Sequence, residues 1–416
     1  MPSPLSSKDQ IERVVREEWG RILSIMVKTL GDFQLAEDCT QDALIAAMTH
    51  WDRNGLPRSP AAWLLQVARR KAIDRLRRDK SFANKEAELS YLFDLENIHA
   101  DEKEQAVIPD ERLQMIFVCC HPTLAEKSRV ALTLRALGGL NTDQIAAAFL
   151  DSPDTMRRRI TRAKQKIAGA GIPYKVPETE DLPVRLASVL RTLYLVFNEG
   201  YSASSGRDLT RVDLSNEAIR LARITARLMP ESCEVQGLLA LMLLHDARRH
   251  ARVGPEGELI ALENQNRARW NGDQIKEGTA ILEACLVKGE IGPYQIQAAI
   301  SGVHGVSADW RDTDWAQIID LYGLLYRFEP TPVVRLNQAV ALCMDDRLEP
   351  AEKILNALAE LDDMQGYLPF HLARAELFQR MQNSNQAHDA LSRALECSQN
   401  EAEATFIRAK LSQLLH

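Results

Sequence analysis

The stretch GLNTDQIAAAFLDSPDTMRRRITRAKQKIAGAG, residues 139–171, reads as two short helices joined by a tight turn. Asn141 stands where a helix N-cap is needed, and Gln144 three positions on can return the bond, the reciprocal arrangement of a capping box. Ile145 and Phe149 then face a core. Ser152 caps the second helix, with Pro153 at its first position, where a missing N–H costs nothing. Met156, Ile160, Ala163 and Ile167 recur at helical spacing and predict a buried stripe. The outward arc carries Asp154, Thr155, Arg158, Thr161, Arg162 and Gln165, flanked by Arg157, Arg159, Lys164 and Lys166. A helix of this kind can enter a major groove, reading base edges with its arc and clamping phosphates with its flanks.

Upstream lies a second basic element, PAAWLLQVARRKAIDRLRRDK, residues 60–80, with seven Lys and Arg between Arg69 and Lys80. On a helical wheel Leu64, Ala68, Ala72 and Leu76 share one face, while Arg70, Asp74, Arg77 and Arg78 lie opposite. A charged helix face is ordinarily just solvated. Positive charge at this density is more than solvation requires and suits a run of phosphates.

The formal charge of the 416-residue chain is -7, but it is unevenly spread. Residues 1–180 hold 27 Lys and Arg against 26 Asp and Glu, and residues 181–416 hold 24 against 32. A nucleic-acid function therefore belongs to the first 180 residues, where the positives are bunched. The length predicts several domains, and helical periodicity throughout, with almost no alternating β-branched run, predicts an all-α fold. Acidic residues crowd 81–111, which reads as a linker, and prolines and a glycine in GIPYKVPETEDLP (171–183) mark a second break.

Beyond that break the chain repeats. RLNQAVALCMDDRLEPAEKILNAL (335–358) and HLARAELFQRMQNSNQAHDALSRA (371–394) superpose at an offset of 36, matching Leu336 with Leu372, Ala339 with Ala375, Ala351 with Ala387 and Leu355 with Leu391. This is close to the tetratricopeptide period. Residues 217–248 have a similar two-helix texture. Polar islands at 198–204, at His245-Asp246 and at 263–271 read as caps and inter-repeat hydrogen bonds, or as the lining of a ligand or peptide groove.

The seven cysteines (39, 119, 120, 233, 285, 343 and 397) show no CxxC spacing and are expected to be buried thiols. The Cys119-Cys120-His121 run lacks a second ligand pair, so no metal and no other cofactor is expected. No phosphate-loop, nucleophile-elbow or zinc-protease string occurs, and the chain is expected not to be an enzyme. Neither a signal peptide nor a spanning segment is evident, which places the expectation in the cytoplasm with no membrane partner.

The strings AEDCTQDALIAAMTHW (36–51) and PAAWLLQVARRKAIDRLRR (60–78) resemble region 2 of the sigma-70 family, and the helix-turn-helix resembles region 4, in that order across an acidic linker. CCHPTLAEKSRVALTLRALGGL, LYLVFNEGYSAS and LALMLLHDARRHAR resemble the extracytoplasmic-function (group 4) subfamily with a tetratricopeptide-like C-terminal extension. The resemblance implies a region 2 domain at 1–80, a linker at 81–111, a region 4 domain at 112–172 and a helical-repeat domain at 182–416. It implies an RNA polymerase sigma factor whose partners are promoter DNA and core polymerase, through the β′ clamp and β flap, with a protein or small-molecule regulator acting at the C-terminal domain. Asp38, Gln41 and Asp42 then match the clamp-binding surface. Trp63, Arg69, Arg70, Asp74, Arg75, Arg77 and Arg78 match the segment that melts the -10 element and holds the unstacked strand. Thr155, Arg157, Arg158, Arg159, Thr161, Arg162, Lys164 and Lys166 match the -35 reader. Leu44 and Thr40 depart from the family pattern near the clamp surface. The alternatives are a helix-turn-helix activator with a helical sensor domain and a tetratricopeptide adaptor.

Overall fold

The computed structural model describes residues 7–78, 111–149, 151–202, 209–252, 254, 260–398 and 401–414, and every regular element among them is helical. The expected linker, except Glu111, lies outside the described residues. The chain divides into two compact units, Met1–Val196 and Phe197–His416.

The first unit opens with α1 (Ser7–Leu30), α2 (Phe33–Asn54) and α3 (Pro60–Arg78), which pack on one another as a three-helix bundle. Asp32 starts α2 by accepting from the amides of Gln34 and Leu35 at 2.8 and 3.0 Å. Gly55, at φ +77°, ends it in the left-handed region that a Cβ disfavours. Ala36, Cys39, Ala43, Ala47 and Trp51 form the buried stripe of α2, and Leu64, Ala68, Ala72 and Leu76 that of α3. These α3 positions are the apolar face expected from the wheel. The small side chains let α2 and α3 approach closely.

Four shorter helices follow: α4 (Arg112–Cys119), α5 (Glu126–Ala136), α6 (Thr142–Ala148) and α7 (Pro153–Gly169). The capping box forms as the spacing predicts. Asn141 N–H donates to Gln144 Oε1 and Gln144 N–H to Asn141 Oδ1, each at 2.8 Å. Ser152 Oγ accepts from Thr155 N–H at 3.2 Å, with Pro153 at the first turn. Met156, Ile160, Ala163 and Ile167 are all buried, so α7 presents its remaining arc outward. Glu111, at the end of the expected linker, is buried and pairs with Lys28 of α1 at 2.5 Å. Helix α8 (Leu182–Ser202) begins in this unit, where Arg185 donates to the Phe117 carbonyl at 2.9 Å and Ser188 to the Cys120 carbonyl at 2.5 Å.

The second unit is a series of antiparallel helix pairs. Helices α9 (Leu209–Leu228), α10 (Cys233–Asp246), α11 (Gly272–Lys288), α12 (Pro293–Val306) and α13 (Trp315–Phe328) lead into two matched hairpins. The first is α14 (Pro332–Met344) with α15 (Leu348–Ala359); after the one-turn α16 (Asp362–Gln365), the second is α17 (Leu368–Arg380) with α18 (Ser384–Glu396). The N-termini of both helices in the second hairpin lie 36 positions after those in the first, the offset seen in the sequence. So do the turns: Asp346 and Gln382 both adopt positive φ, +57° and +58°. Ala339, Ala351, Leu355, Ala375, Ala387 and Leu391 belong to one continuous core with Phe370 and Phe378. Helix α19 (Glu401–Leu414) closes the series with Ile407 in that core.

The polar islands have structural employment. His245 shares a 2.9 Å hydrogen bond with Ser301, and Asp246 accepts from Arg249 at 2.8 Å and Gln274 at 2.9 Å. Asn266 and Asn271 cap helices, and Arg267 lies 4.6 Å over the Trp270 ring while donating to the Ser307 carbonyl at 2.8 Å. Part of 198–204 lies outside the described residues.

Candidate nucleic-acid interface

Two helices carry the expected contacts, and each is held by its own buried face. On α3, Arg70, Asp74 and Arg77 are exposed opposite the apolar stripe. Trp63 is half-buried, its ring 5.4 Å from His50 and 5.3 Å from Trp51, so an aromatic edge sits at the start of the basic surface. Arg69 is half-buried. The side chain of Arg78 lies outside the described residues.

Arg75 turns toward α2. Its two terminal nitrogens donate to Asp38 at 3.0 Å and to Asp42 at 2.9 Å. One expected strand-binding cation thus bridges two of the three expected clamp-binding residues. The arrangement keeps both carboxylates on one surface, with Gln41 half-buried beside them.

On α7, Thr155, Arg158, Thr161 and Arg162 are exposed along one arc. Arg157 is exposed and pairs with Asp154 at 2.5 Å. Arg159 bends back to Asp151 at 2.6 Å, and Lys166 donates to the Thr123 carbonyl at 2.6 Å. Lys164 departs most from the expectation. It points inward, bonded to the Glu37 carboxylate and, at 3.0 Å, to Gln34 Oε1, with its ammonium 5.3 Å from the Phe33 ring.

Glu37 was missed by the sequence reading, and it is the centre of this contact. Only 3% of its side chain is exposed, and its other oxygen accepts from Arg135 Nε at 2.5 Å. Arg135 also donates to the Leu140 carbonyl at 3.1 Å, while its own carbonyl accepts from Trp19 Nε1 at 3.0 Å. Tyr174 donates its hydroxyl to the Ser24 carbonyl at 2.8 Å, and burial pushes its pKa well up, so it remains a donor. Gly20 completes the fit, since a Cβ there would stand 2.9 Å from the Leu137 carbonyl oxygen. A signal existed in the sequence: Arg135 is the only charge in the run VALTLRALGGL (130–140), and a cation inside an apolar run needs a partner.

Residues 14–82 match the family described as Sigma-70 region 2, and residues 114–167 match Sigma-70, region 4. The RNA polymerase sigma-H factor of Pseudomonas aeruginosa is 31% identical over 160 residues, covering 35% of this chain and 78% of that protein. The chain belongs to the sigma-70 family. The ECF RNA polymerase sigma factor SigK of Mycobacterium ulcerans is 27% identical over 146 residues, covering 34% of this sigma factor and 75% of SigK. An uncharacterized protein of Rhizobium meliloti, R00370, is 40% identical over 394 residues, or 94% of this chain and 93% of its own. Residues 185–286 match a family of unknown function, DUF6596. No solved structure matches the chain.

The protein is thus a sigma factor of the extracytoplasmic-function type with a helical C-terminal extension, and it acts in transcription initiation. Sigma factors are not enzymes; they bind core RNA polymerase and promoter DNA. Among the described residues no group of three or more His, Cys, Asp or Glu could hold a metal ion, and no helix is long and apolar enough to cross a membrane. Six cysteines are buried free thiols and Cys397 is half-buried.

Proposed function

We propose that α3 melts the -10 element and holds the displaced strand, that the outer arc of α7 reads the -35 duplex, and that Asp38, Gln41 and Asp42 dock on the β′ clamp. The observation that carries this reading is the pairing, in one chain, of two amphipathic helices whose buried stripes are closed and whose outward arcs are cationic. On α3, Trp63 stacks on an unpaired base while Arg69, Arg70, Arg77 and Arg78 follow the phosphates. On α7, Thr155, Arg158, Thr161 and Arg162 face base edges, and Arg157, Arg159 and Lys166 meet the backbone. Arg75 serves chiefly to hold Asp38 and Asp42 in place for the clamp. Region 4 engages the β flap.

In this reading the factor works in the cytoplasm, and the C-terminal helical unit tunes activity through a protein or small-molecule regulator or by packing against the sigma domains. The acidic balance of that unit supports the last route, because negative charge competes for basic helices.

Run-off transcription with purified core polymerase tests the proposal. Promoter-specific transcripts are expected with the full chain. Replacing Arg158 and Arg162 together by Gln should lower output at least tenfold, since each bidentate base contact is worth about 1–3 kcal/mol. Asp38→Asn with Asp42→Asn should weaken co-purification with core enzyme. A chain that never joins the polymerase would end this reading.

A further inference from the structure

The second hairpin of the C-terminal unit borders a cavity of about 550 Å3 between α17 and α18. Sites for small molecules commonly measure about 300–1,000 Å3. His371, Arg374 and Phe378 line it from α17, and Asp389, Ala390 and Arg393 from α18. Spacings of three and four put each set on one face of its helix. We propose that this cavity binds a small phosphate monoester that carries free hydroxyls. The proposal rests on the reading that a small-molecule regulator acts at the C-terminal unit, and it names the place and the chemistry.

Charge argues for the phosphate. Arg374 lies between two rings of its own helix, its guanidinium carbon 5.8 Å from the Phe370 ring and 5.3 Å from the Phe378 ring. The rings hold the planar group in place but bring it no anion. Burial, and then the charge of Arg393, push its pKa down. Among the described residues neither arginine forms an ion pair, and the buried Nε of Arg374 has no hydrogen-bond partner. Asp389 is the only acidic residue on the lining among the described residues, and with 83% of its side chain exposed it is screened by water and salt. Two guanidiniums therefore share one small space without a counter-charge. A phosphate monoester brings about -1.5 to -2 charges at pH 7 on a single group, and its oxygens suit the arginine fork; a carboxylate brings half as much.

A buried histidine on the lining argues for the hydroxyls. His371 is 2% exposed, and its Nε2 lies 2.8 Å from the Gln365 carbonyl oxygen. A carbonyl only accepts, so Nε2 carries the hydrogen and the neutral ring leaves a lone pair on Nδ1. That nitrogen is buried with no partner. The dianion of a phosphate monoester has no hydrogen to give it, whereas an O–H on the body of the ligand does. Asp389 offers a second acceptor at the rim.

The repeat itself does not need this cluster. Shifted back by the offset of 36, His371, Arg374 and Arg393 correspond to Arg335, Gln338 and Ala357. There Arg335 donates to Gln338 Oε1 at 2.6 Å, and Gln338 Nε2 donates to the Ile319 carbonyl at 3.3 Å. The first hairpin closes these polar groups on its own neighbours, and the second leaves them open to a ligand.

Isothermal titration calorimetry on the full-length protein tests the site, with ribose 5-phosphate, methyl phosphate, inorganic phosphate and an acidic peptide with a free carboxy-terminus as probes. Ribose 5-phosphate should bind, and methyl phosphate, which lacks the hydroxyls, should bind at least about tenfold more weakly. Arg374→Gln with Arg393→Ala installs the residues of the first hairpin, so far-UV circular dichroism should be unchanged. That double variant should weaken ribose 5-phosphate by at least about tenfold. Arg347→Gln, outside the cavity lining, should leave the affinity as it is. No binding of ribose 5-phosphate at millimolar concentration, or undiminished binding by the folded double variant, overturns the site. Equal affinity for methyl phosphate or inorganic phosphate overturns the hydroxylated body, and tighter binding of the peptide overturns the ligand class. Run-off transcription with ribose 5-phosphate separates this site from the regulatory reading beneath it. Binding with unchanged transcript removes the regulatory reading and keeps the site; a transcript response that the double variant retains removes the site and keeps the regulatory reading.

Discussion

The joint between region 2 and region 4 and the stacked hairpins of the C-terminal unit are both contacts between helices, and they are made of opposite materials. The first is centred on a buried carboxylate with two cations, an indole N–H and a glycine. The second is alanine, leucine and phenylalanine, with Ala339, Ala351, Ala387, Leu355 and Phe370 almost wholly buried. A buried ion pair specifies geometry but repays its desolvation only in part, and another charged partner can take its place. An apolar stack gains from every area it removes from water and has nothing to exchange it for. The first joint is suited to opening, and the second to staying shut.

Breaking the apolar side should have the largest effect. Phe370→Ala removes a large side chain from a closed core, and a loss of about 3–5 kcal/mol is expected in the C-terminal unit. Chemical denaturation followed by a probe in each unit checks this. A loss under about 1 kcal/mol, or an equal loss in the first unit, would refute the picture of a tightly packed repeat.

Acid should act on the same unit next most strongly. The pKa of His245 is pushed down to about 3 by burial, then by Arg248, Arg252 and His304. That of His304 is pushed down to about 4 by burial, then by Arg248 and Arg267. The folded unit holds both rings neutral, so below the ordinary value of 6.5 it binds fewer protons than the unfolded chain. Their stabilising contribution is complete above about pH 6.5 and drains away as the pH falls toward 4 and then 3. His245→Gln, which can keep a hydrogen bond to Ser301, should flatten the fall measured between pH 6.5 and 4. An unchanged slope would show that these rings do not govern it.

The smallest effect sharpens the repeat itself. Asp346 and Gln382 pay the left-handed penalty that glycine avoids, and Asp346→Gly and Gln382→Gly should each stabilise the unit by about 0.5–1 kcal/mol. The Asp346 partnership with Arg380, at 3.4 Å and exposed, offsets little of this. Thermal melts showing gains of opposite sign at the two positions would break the equivalence of the hairpins.

Much of this was legible before any coordinate. The 3.6-residue period placed the buried stripes of α3 and α7, because a helix amphipathic enough to pack announces its face locally. The capping box of Asn141 and Gln144 and the cap at Ser152 were legible for the same reason: donor and acceptor sit three residues apart. The offset of 36 forecast where the second hairpin begins and where its matching turn falls.

What the sequence alone determined, then, is everything carried by neighbours along the chain: helix faces, caps, repeats, and the order of the two basic helices. The tertiary structure alone decided the fate of individual charges. Lys164 and Arg75 read as two more cations of their helices, yet one is claimed by Glu37, 127 residues away in sequence, and the other by Asp38 and Asp42 of a different helix. Ion pairing depends on where side-chain tips meet in space, and that distance has no period in the sequence.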